Sequence, residues 1–217
     1  MDQQYSSGHT RRAHMNLRMF VGEAIADFAT TGAISPSSRY LVNAMLDPLP
    51  FARIRVALEF GPGTGAMTHS LLERLPSDAK LLVFEINPRF YQCLRESISD
   101  PRMVLINSSV ENLQSELERR GIGQVDAAVS SLGLAFIPEQ SRQTLFQHLL
   151  PHFHEKSIFT QYQYVHGMQF QKGRLQRFNL RALLNRYFDS VQMKIEWRNL
   201  PPAFVFTCRT KALTPKS

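Results

Sequence analysis

The sequence predicts an α/β fold: a doubly wound, seven-stranded sheet, preceded by N-terminal helices and closed by a C-terminal antiparallel hairpin. Three observations predict it. From Arg55 onward, short apolar runs alternate with amphipathic stretches, the pattern of a parallel sheet covered by helices on both faces. A glycine-rich turn, Gly61-Pro62-Gly63-Thr64-Gly65, directly follows the first apolar run. The last two strand-like runs are separated only by Arg198-Asn199-Leu200-Pro201-Pro202. That is too short for a crossover helix, so those two strands pair antiparallel.

The elements follow in order. Residues 1–12 are polar and read as disordered. Leu17, Phe20, Val21, Ala24, Ile25 and Phe28 recur at steps of three and four, which makes one apolar helix stripe. Thr30-Thr31-Gly32-Ala33 breaks that helix. Ser35 or Ser37 is placed to cap a second helix reaching about Leu46, with Pro36 near its first turn. Strands are then expected over Arg55–Phe60, Lys80–Ile86, Met103–Asn107, Val125–Ser130 and Ser157–Val165. Helices are expected from the glycine turn to Leu75, and over Arg89–Ile98, Leu113–Arg120, Glu139–Leu150 and Asn179–Phe188. Val191–Trp197 and Ala203–Cys208 form the closing hairpin.

Composition narrows the class. The chain has 217 residues, enough for one α/β domain with a sizeable core. No apolar run reaches the ~18 residues of a membrane span, and the first residues lack a secretory apolar region. The expected compartment is therefore the cytoplasm. Cys93 and Cys208 stand far apart and read as reduced bystanders. The net charge of +7 is unevenly spread. Residues 56–155 carry a net of −4, whereas residues 156–217 carry +9. A basic segment beside an acidic centre fits a polyanionic partner, either nucleic acid or the phosphates of a membrane.

The chemistry-bearing motif is Glu59-Phe60-Gly61-Pro62-Gly63-Thr64-Gly65. An apolar strand ends in an acid and a tight glycine loop, which opens a helix whose first turn offers free N–H groups. Glu85 ends the second strand, twenty residues beyond Gly65. In a doubly wound sheet a carboxylate there reaches ribose hydroxyls, so an adenosine-type ligand is expected across the first two strand ends. Gly61, Gly63 and Ala66 also satisfy the loose G-x-G-x-x-G/A pattern of nicotinamide enzymes. Three features oppose that reading. Glu59 would repel a pyrophosphate but welcome a cationic aminoacyl group, a third glycine stands at Gly65, and no separate substrate domain follows.

These residues resemble the first two motifs of class I S-adenosylmethionine-dependent methyltransferases, whose sheet is Rossmann-like. The resemblance implies S-adenosyl-L-methionine as cofactor. It implies Glu59 beside its methionine end, Gly61, Gly63, Thr64 and Gly65 lining it, and Glu85 with Ile86 at the ribose. Ser109 falls where many members carry an adenine-contacting Asp, with Val110 supplying a backbone N–H, and Ser130 closes the cofactor side. The pattern is also similar to the ribosomal RNA adenine dimethyltransferases. However, Ser130-Ser131-Leu132-Gly133-Leu134 lacks the aromatic residue that base-methylating enzymes carry after strand four. Thr31 to Arg39, the glycine loop, Ser130-Ser131-Leu132 and Arg198 to Ala203 together resemble bacterial phospholipid N-methyltransferases. Gly133 departs from their usual proline, and Tyr162-Gln163-Tyr164 departs from their strand end.

That resemblance implies methylation of the amine of phosphatidylethanolamine or its methylated derivatives, by an enzyme peripheral on the inner membrane face. Tyr162, Tyr164, Ser130 and His166 stand at the strand ends as candidate catalytic residues, with Tyr162 or Tyr164 facing the amine; no metal is implied. The apolar, Arg-headed N-terminal helix and the basic residues of 166–186 (Lys172, Arg174, Arg177, Arg181 and Arg186) fit an anionic membrane, at ~1 kcal/mol per cation. RNA phosphates would suit the same charges, and a small soluble amine is a further acceptor; DNA is not expected. The expected division is an N-terminal helical extension over 1–50, as lid or membrane-binding segment, and a methyltransferase domain over 51–217.

Overall fold

Strand β1 (Val56–Phe60) carries Ala57, Leu58, Glu59 and Phe60, all fully buried. A strand buried on both faces belongs at the centre of a parallel sheet, and β1 lies there in the computed structural model. The model describes residues 37–165, 168–171 and 174–210, with backbone only over 168–171 and 174–177. Strands β2 (Lys80–Phe84), β3 (Met103–Ile106), β4 (Val125–Ser130) and β5 (Phe153–Tyr164) run parallel to β1. Strands β8 (Ser190–Glu196) and β9 (Ala203–Arg209) close the sheet, β9 lying antiparallel to both β5 and β8. The seven-stranded order is β3-β2-β1-β4-β5-β9-β8. The reversal between β1 and β4 opens a crevice at the carboxyl ends, where such sheets hold ligands.

Side-chain alternation divides the core between the two faces. One face sets Ala57, Leu81, Val83 and Val129 against α1 (Arg39–Leu46), α2 (Ala66–Arg74) and α3 (Pro88–Ser97). The other sets Leu58, Phe60, Ala128 and Phe159 against α4 (Leu113–Glu118), α5 (Glu139–Leu149) and α6 (Leu180–Leu184). There Phe146 stacks on Tyr187 at 4.4 Å between centroids and meets Phe159 edge-on at 5.7 Å.

Four expectations need correction. Helix α1 is capped by Ser38, whose Oγ accepts from Leu41 N at 3.3 Å, rather than by Ser35 or Ser37. Leu41, Val42, Ala44, Met45 and Leu46 bury completely or nearly so against the sheet. Residues 37–50 therefore pack with the main body. Strand β5 begins at Phe153 instead of Ser157. A bulge shifts its register between Val125↔Phe153 and Ala127↔Ile158, and the polar His154-Glu155-Lys156 of that bulge conceals the strand in the sequence. Helix α6 is shorter than expected, because Arg186 N and Tyr187 N bond to Leu183 O and Leu184 O in tighter turns. Finally, Met168–Gln171 (β6) and Arg174–Arg177 (β7) form an unforeseen antiparallel pair, apart from the main sheet. The expected helix at residues 17–28 lies outside the described residues.

Asp126 secures the amino ends of β1 and β4. Its Oδ2 accepts from Arg55 N at 2.8 Å and Val56 N at 2.9 Å, and its Oδ1 meets His154 Nε2 at 2.9 Å. Burial raises the Asp126 pKa, but the Val56, His154 and Arg55 bonds outweigh it and hold the carboxyl below its ordinary value. A depressed folded pKa gives stability that is present above the unfolded value, about 3.9, and lost as pH falls through the folded one. Asp126→Asn should cost about 1–3 kcal/mol at neutral pH. Denaturant melts should show the wild-type advantage shrinking below about pH 4.

Candidate functional site

The site grows from the end of β1. Its last residues are held from both sides: Gly61 N donates to Phe84 O at 3.0 Å, and Ser131 N donates to Phe60 O at 2.9 Å. Gly61, Gly63 and Gly65 take φ of 71°, 56° and 87°, conformations that side-chain-bearing residues rarely adopt. Two of them also answer a packing demand. A Cβ on Gly61 would stand 2.9 Å from Leu132 Cδ2, and one on Gly65 2.7 Å from Leu94 Cδ2. Gly63 meets nothing within 4 Å; its bare backbone borders open space. Thr64 beside it is exposed, and Gly65 caps α2.

Two carboxylates flank this loop, with different surroundings. Glu85 is buried at the end of β2, where its Oε1 accepts from Asn87 N at 2.7 Å and its Oε2 from Gly63 N at 3.3 Å. Burial raises its pKa, opposed by the backbone N–H groups of Asn87, Gly63 and Ile86. The contact from Gly63 ties the glycine loop to the tip of β2. Asn107 Nδ2 donates to Glu85 O at 2.8 Å and adds the end of β3.

Glu59 is fully buried, and neither of its carboxylate oxygens has a hydrogen-bond partner among the described residues. Burial pushes its pKa up to about 8; the neighbouring Thr68 hydroxyl opposes this, and the charge of Glu85 reinforces it. A buried carboxylate with no partner is costly unless a cation meets it. The donor set fits an adenosyl ligand with a cationic end: Glu59 would answer the positive charge, Glu85 the ribose, and the glycine backbone would allow close approach.

The remaining described candidates lie at or just beyond the carboxyl ends of β3, β4 and β5. Ser109 Oγ caps its own turn by accepting from Glu111 N at 3.2 Å, so this oxygen is already engaged; Val110 opens that turn, partly buried. Ser130 is buried at the end of β4, paired in register with Phe60 on one side and Gln161 on the other. Tyr162 and Tyr164 meet edge-on at 5.4 Å on the face that α1 covers. Burial pushes the Tyr162 hydroxyl up, as does Tyr164, while Ser37 opposes. Tyr162 thus stays protonated at physiological pH. His166 lies outside the described residues.

Chain comparison decides the family. Residues 37–196 match the family model described as ribosomal RNA adenine dimethylase. The chain belongs to that family. It is an S-adenosylmethionine-dependent methyltransferase of class I. The methyltransferase is 29% identical to the ornithine lipid N-methyltransferase of Singulisphaera acidiphila over 192 residues, 88% of this chain and 94% of the relative. A ribosomal RNA small subunit methyltransferase H from Acinetobacter baylyi is 35% identical, but over only 34% of this chain and 24% of its own. Among solved structures, the 1,6-didemethyltoxoflavin-N1-methyltransferase of Burkholderia thailandensis shares the fold with a TM-score of 0.67 at 17% identity, over 97% and 93% of the two chains. A TehB-like methyltransferase from Corynebacterium glutamicum shares it at 0.57 and 12%, over 90% and 99%.

Two site residues of the methyltransferase escape a reading of the sequence. Gln161 is buried beside Ser130, and its Nε2 donates to Leu132 O at 2.9 Å and Tyr162 O at 2.7 Å. Its Oε1 is buried without a partner among the described residues. Arg142, on α5, is buried too, and its Nη1 donates to Leu134 O at 2.9 Å and Ile137 O at 2.5 Å. Both residues therefore grip the loop after β4. A glutamine amid apolar strand residues was the one available signal for Gln161; nothing local marks Arg142.

The open space at Gly63 makes a prediction. Gly63→Ala meets no protein atom and should cost only about 1–2 kcal/mol for its left-handed backbone. Cofactor affinity should fall far more, because the new methyl occupies the cradle. Calorimetric titration with S-adenosylhomocysteine, beside a thermal melt, separates the two effects.

Proposed function

We propose that this methyltransferase transfers methyl groups to the amine of a membrane lipid head group, either phosphatidylethanolamine and its methylated derivatives or an amino-acid-headed lipid of the ornithine class. The observation that carries this reading is the kinship with a lipid N-methyltransferase across nearly the whole of both chains. Kinship with the ribosomal RNA small subunit methyltransferase H of Acinetobacter baylyi covers about a third of this one. Directly after β4, Ser131-Leu132-Gly133-Leu134 carries no ring on which a base could stack, and the first ring in that loop is Phe136.

The bound cofactor supplies an electrophilic methyl group on a sulfonium centre; the protein must present a neutral amine to it. An alkylammonium has a pKa near that of lysine, about 10, so the amine sheds a proton before it can react. On this reading the amine N–H groups meet acceptors at the carboxyl edge: Gln161 Oε1, which has no partner among the described residues, and the Ser130 hydroxyl on one face, or the Tyr162 and Tyr164 hydroxyls on the face that α1 covers. Positioning of this kind carries much of the barrier reduction in such a displacement. Tyr162, held protonated, serves as an orienting acceptor and not as a phenolate base. Tyr162→Phe or Tyr164→Phe should lower kcat/KM at least about tenfold, or ~1.4 kcal/mol, with cofactor affinity unchanged.

The family's description favours RNA as a second reading. Expression in a bacterium lacking methylated lipids separates the two, by mass spectrometry of its lipids and its ribosomal RNA. N-methylated head groups are the expected product. Methylated adenine with unaltered lipids would replace the lipid reading with the RNA one.

A further inference from the structure

The loop between β8 and β9 inverts the ordinary arrangement, burying its polar residue and exposing its apolar ones. Asn199 is 3% exposed, whereas Trp197 is 68% and Leu200 84% exposed. Asn199 is held in place: its Nδ2 donates to Pro201 O at 2.7 Å, and its Oδ1 accepts from Ser38 N at 3.2 Å. The tip is therefore fixed to the start of α1.

Cations surround it. The guanidiniums of Arg198 and Arg39 lie over the ring of Tyr40, at 4.5 and 4.9 Å from its centroid, and both side chains are exposed. Arg39 also donates to the Tyr40 hydroxyl at 2.9 Å. Glu196 pairs with Arg198 at 2.9 Å and offsets one charge, leaving the tip net positive.

The tip also stands beside the site. Ala203, where β9 begins, pairs with Tyr164, and Val165 N donates to Pro202 O at 2.9 Å. Whatever covers Trp197 and Leu200 thus lies next to the carboxyl edge that carries Tyr162 and Tyr164.

We propose that this tip is a membrane-docking surface, with Trp197 and Leu200 entering the head-group region of an anionic bilayer and Arg39 and Arg198 resting on its phosphates. The inference rests on the lipid reading above and adds where the bilayer meets the protein. Two apolar side chains at a tip are far too little for a stable protein interface of roughly 1,200 Å² or more. An aromatic ring, a branched aliphatic chain and two guanidiniums match the membrane–water boundary. Docking here presents the mouth of the site to head groups.

Trp197 is the single tryptophan of the chain, so its fluorescence reports on the tip directly. The full chain is titrated with vesicles of phosphatidylglycerol in phosphatidylcholine, which offer no primary amine. The expected result is a blue-shifted Trp197 emission, protected from acrylamide and quenched by brominated acyl chains. Leu200→Asp should weaken vesicle partitioning at least about tenfold, and Arg39→Ala should weaken it on anionic vesicles only, both with unchanged melting temperatures. Vesicle binding with unchanged Trp197 emission would overturn the proposal, as would a blue shift that follows protein concentration and doubled mass without lipid. Inserted Trp197 in a protein that methylates no lipid amine would uphold the docking surface and sink the acceptor assignment alone.

Discussion

Glu59→Gln should weaken S-adenosylmethionine binding by about a hundredfold or more, and methyl transfer with it. The wild-type carboxylate is fully buried without a partner among the described residues, which suits it to a cation. Removing one member of a buried charge pair costs about 2–5 kcal/mol. The free protein should respond in the opposite sense as pH rises toward 8, since an amide there never takes on the buried charge that the carboxyl gains. The pH dependence separates this account from a packing role. Burial lifts the Glu59 pKa to about 8, against about 4.3 in an unfolded chain. A raised folded pKa gives stability that is complete below the unfolded value and lost as pH rises through the folded one. The free wild type should therefore lose stability between about pH 4 and 8, and Glu59→Gln should flatten that slope. A cationic ligand favours the charged carboxylate, so wild-type affinity should tighten from pH 6 toward 8 with release of a proton. Calorimetry in buffers of different ionisation enthalpy reads that proton directly.

The second large effect is expected at Arg142. Its Nη1 serves the carbonyls of Leu134 and Ile137, and its guanidinium lies 5.0 Å from the centroid of Phe178. Burial lowers its pKa but leaves it a cation. Arg142→Met fills the volume yet leaves both carbonyls without their donor. We expect a loss of ~3 kcal/mol, or roughly 10 °C in melting temperature for a chain of this size. Activity should fall more steeply than cofactor affinity, because the loop that Arg142 holds runs from Ser130 on the acceptor side. Arg142→Lys keeps the charge but not the planar guanidinium and should fall between the two.

The parts of the fold that declare themselves in the sequence are those governed by local periodicity. Val125, Ala127, Ala128 and Val129 are apolar and fully buried, and β4 begins and ends at Val125 and Ser130, where the pattern places it. The glycine loop and Glu85 were legible because a left-handed turn and a strand-end acid leave few substitutes. What stayed hidden depends on distant partners. The first turn of β5 is polar, because Asp126 and the β4 backbone hold it through His154 and Ser157. The helix at Arg39–Leu46 resembles an appendage until its apolar face is set against the sheet. Gln161 and Arg142 act on a loop 29 and 8 residues away in sequence, respectively. The hairpin tip reads as an ordinary turn until the burial of Asn199 shows which of its side chains face outward.

The central claim is that a cofactor cradle built on Glu59 and Glu85 serves a lipid amine. It is tested most directly by one competition. Purified protein is given labelled S-adenosylmethionine together with vesicles containing phosphatidylethanolamine and an ornithine-headed lipid, and ribosomal RNA in the same tube. Label should enter a lipid head group, with none in RNA, and Glu59→Gln should abolish it. Label in the RNA alone, or equal lipid labelling by Glu59→Gln, would contradict the account.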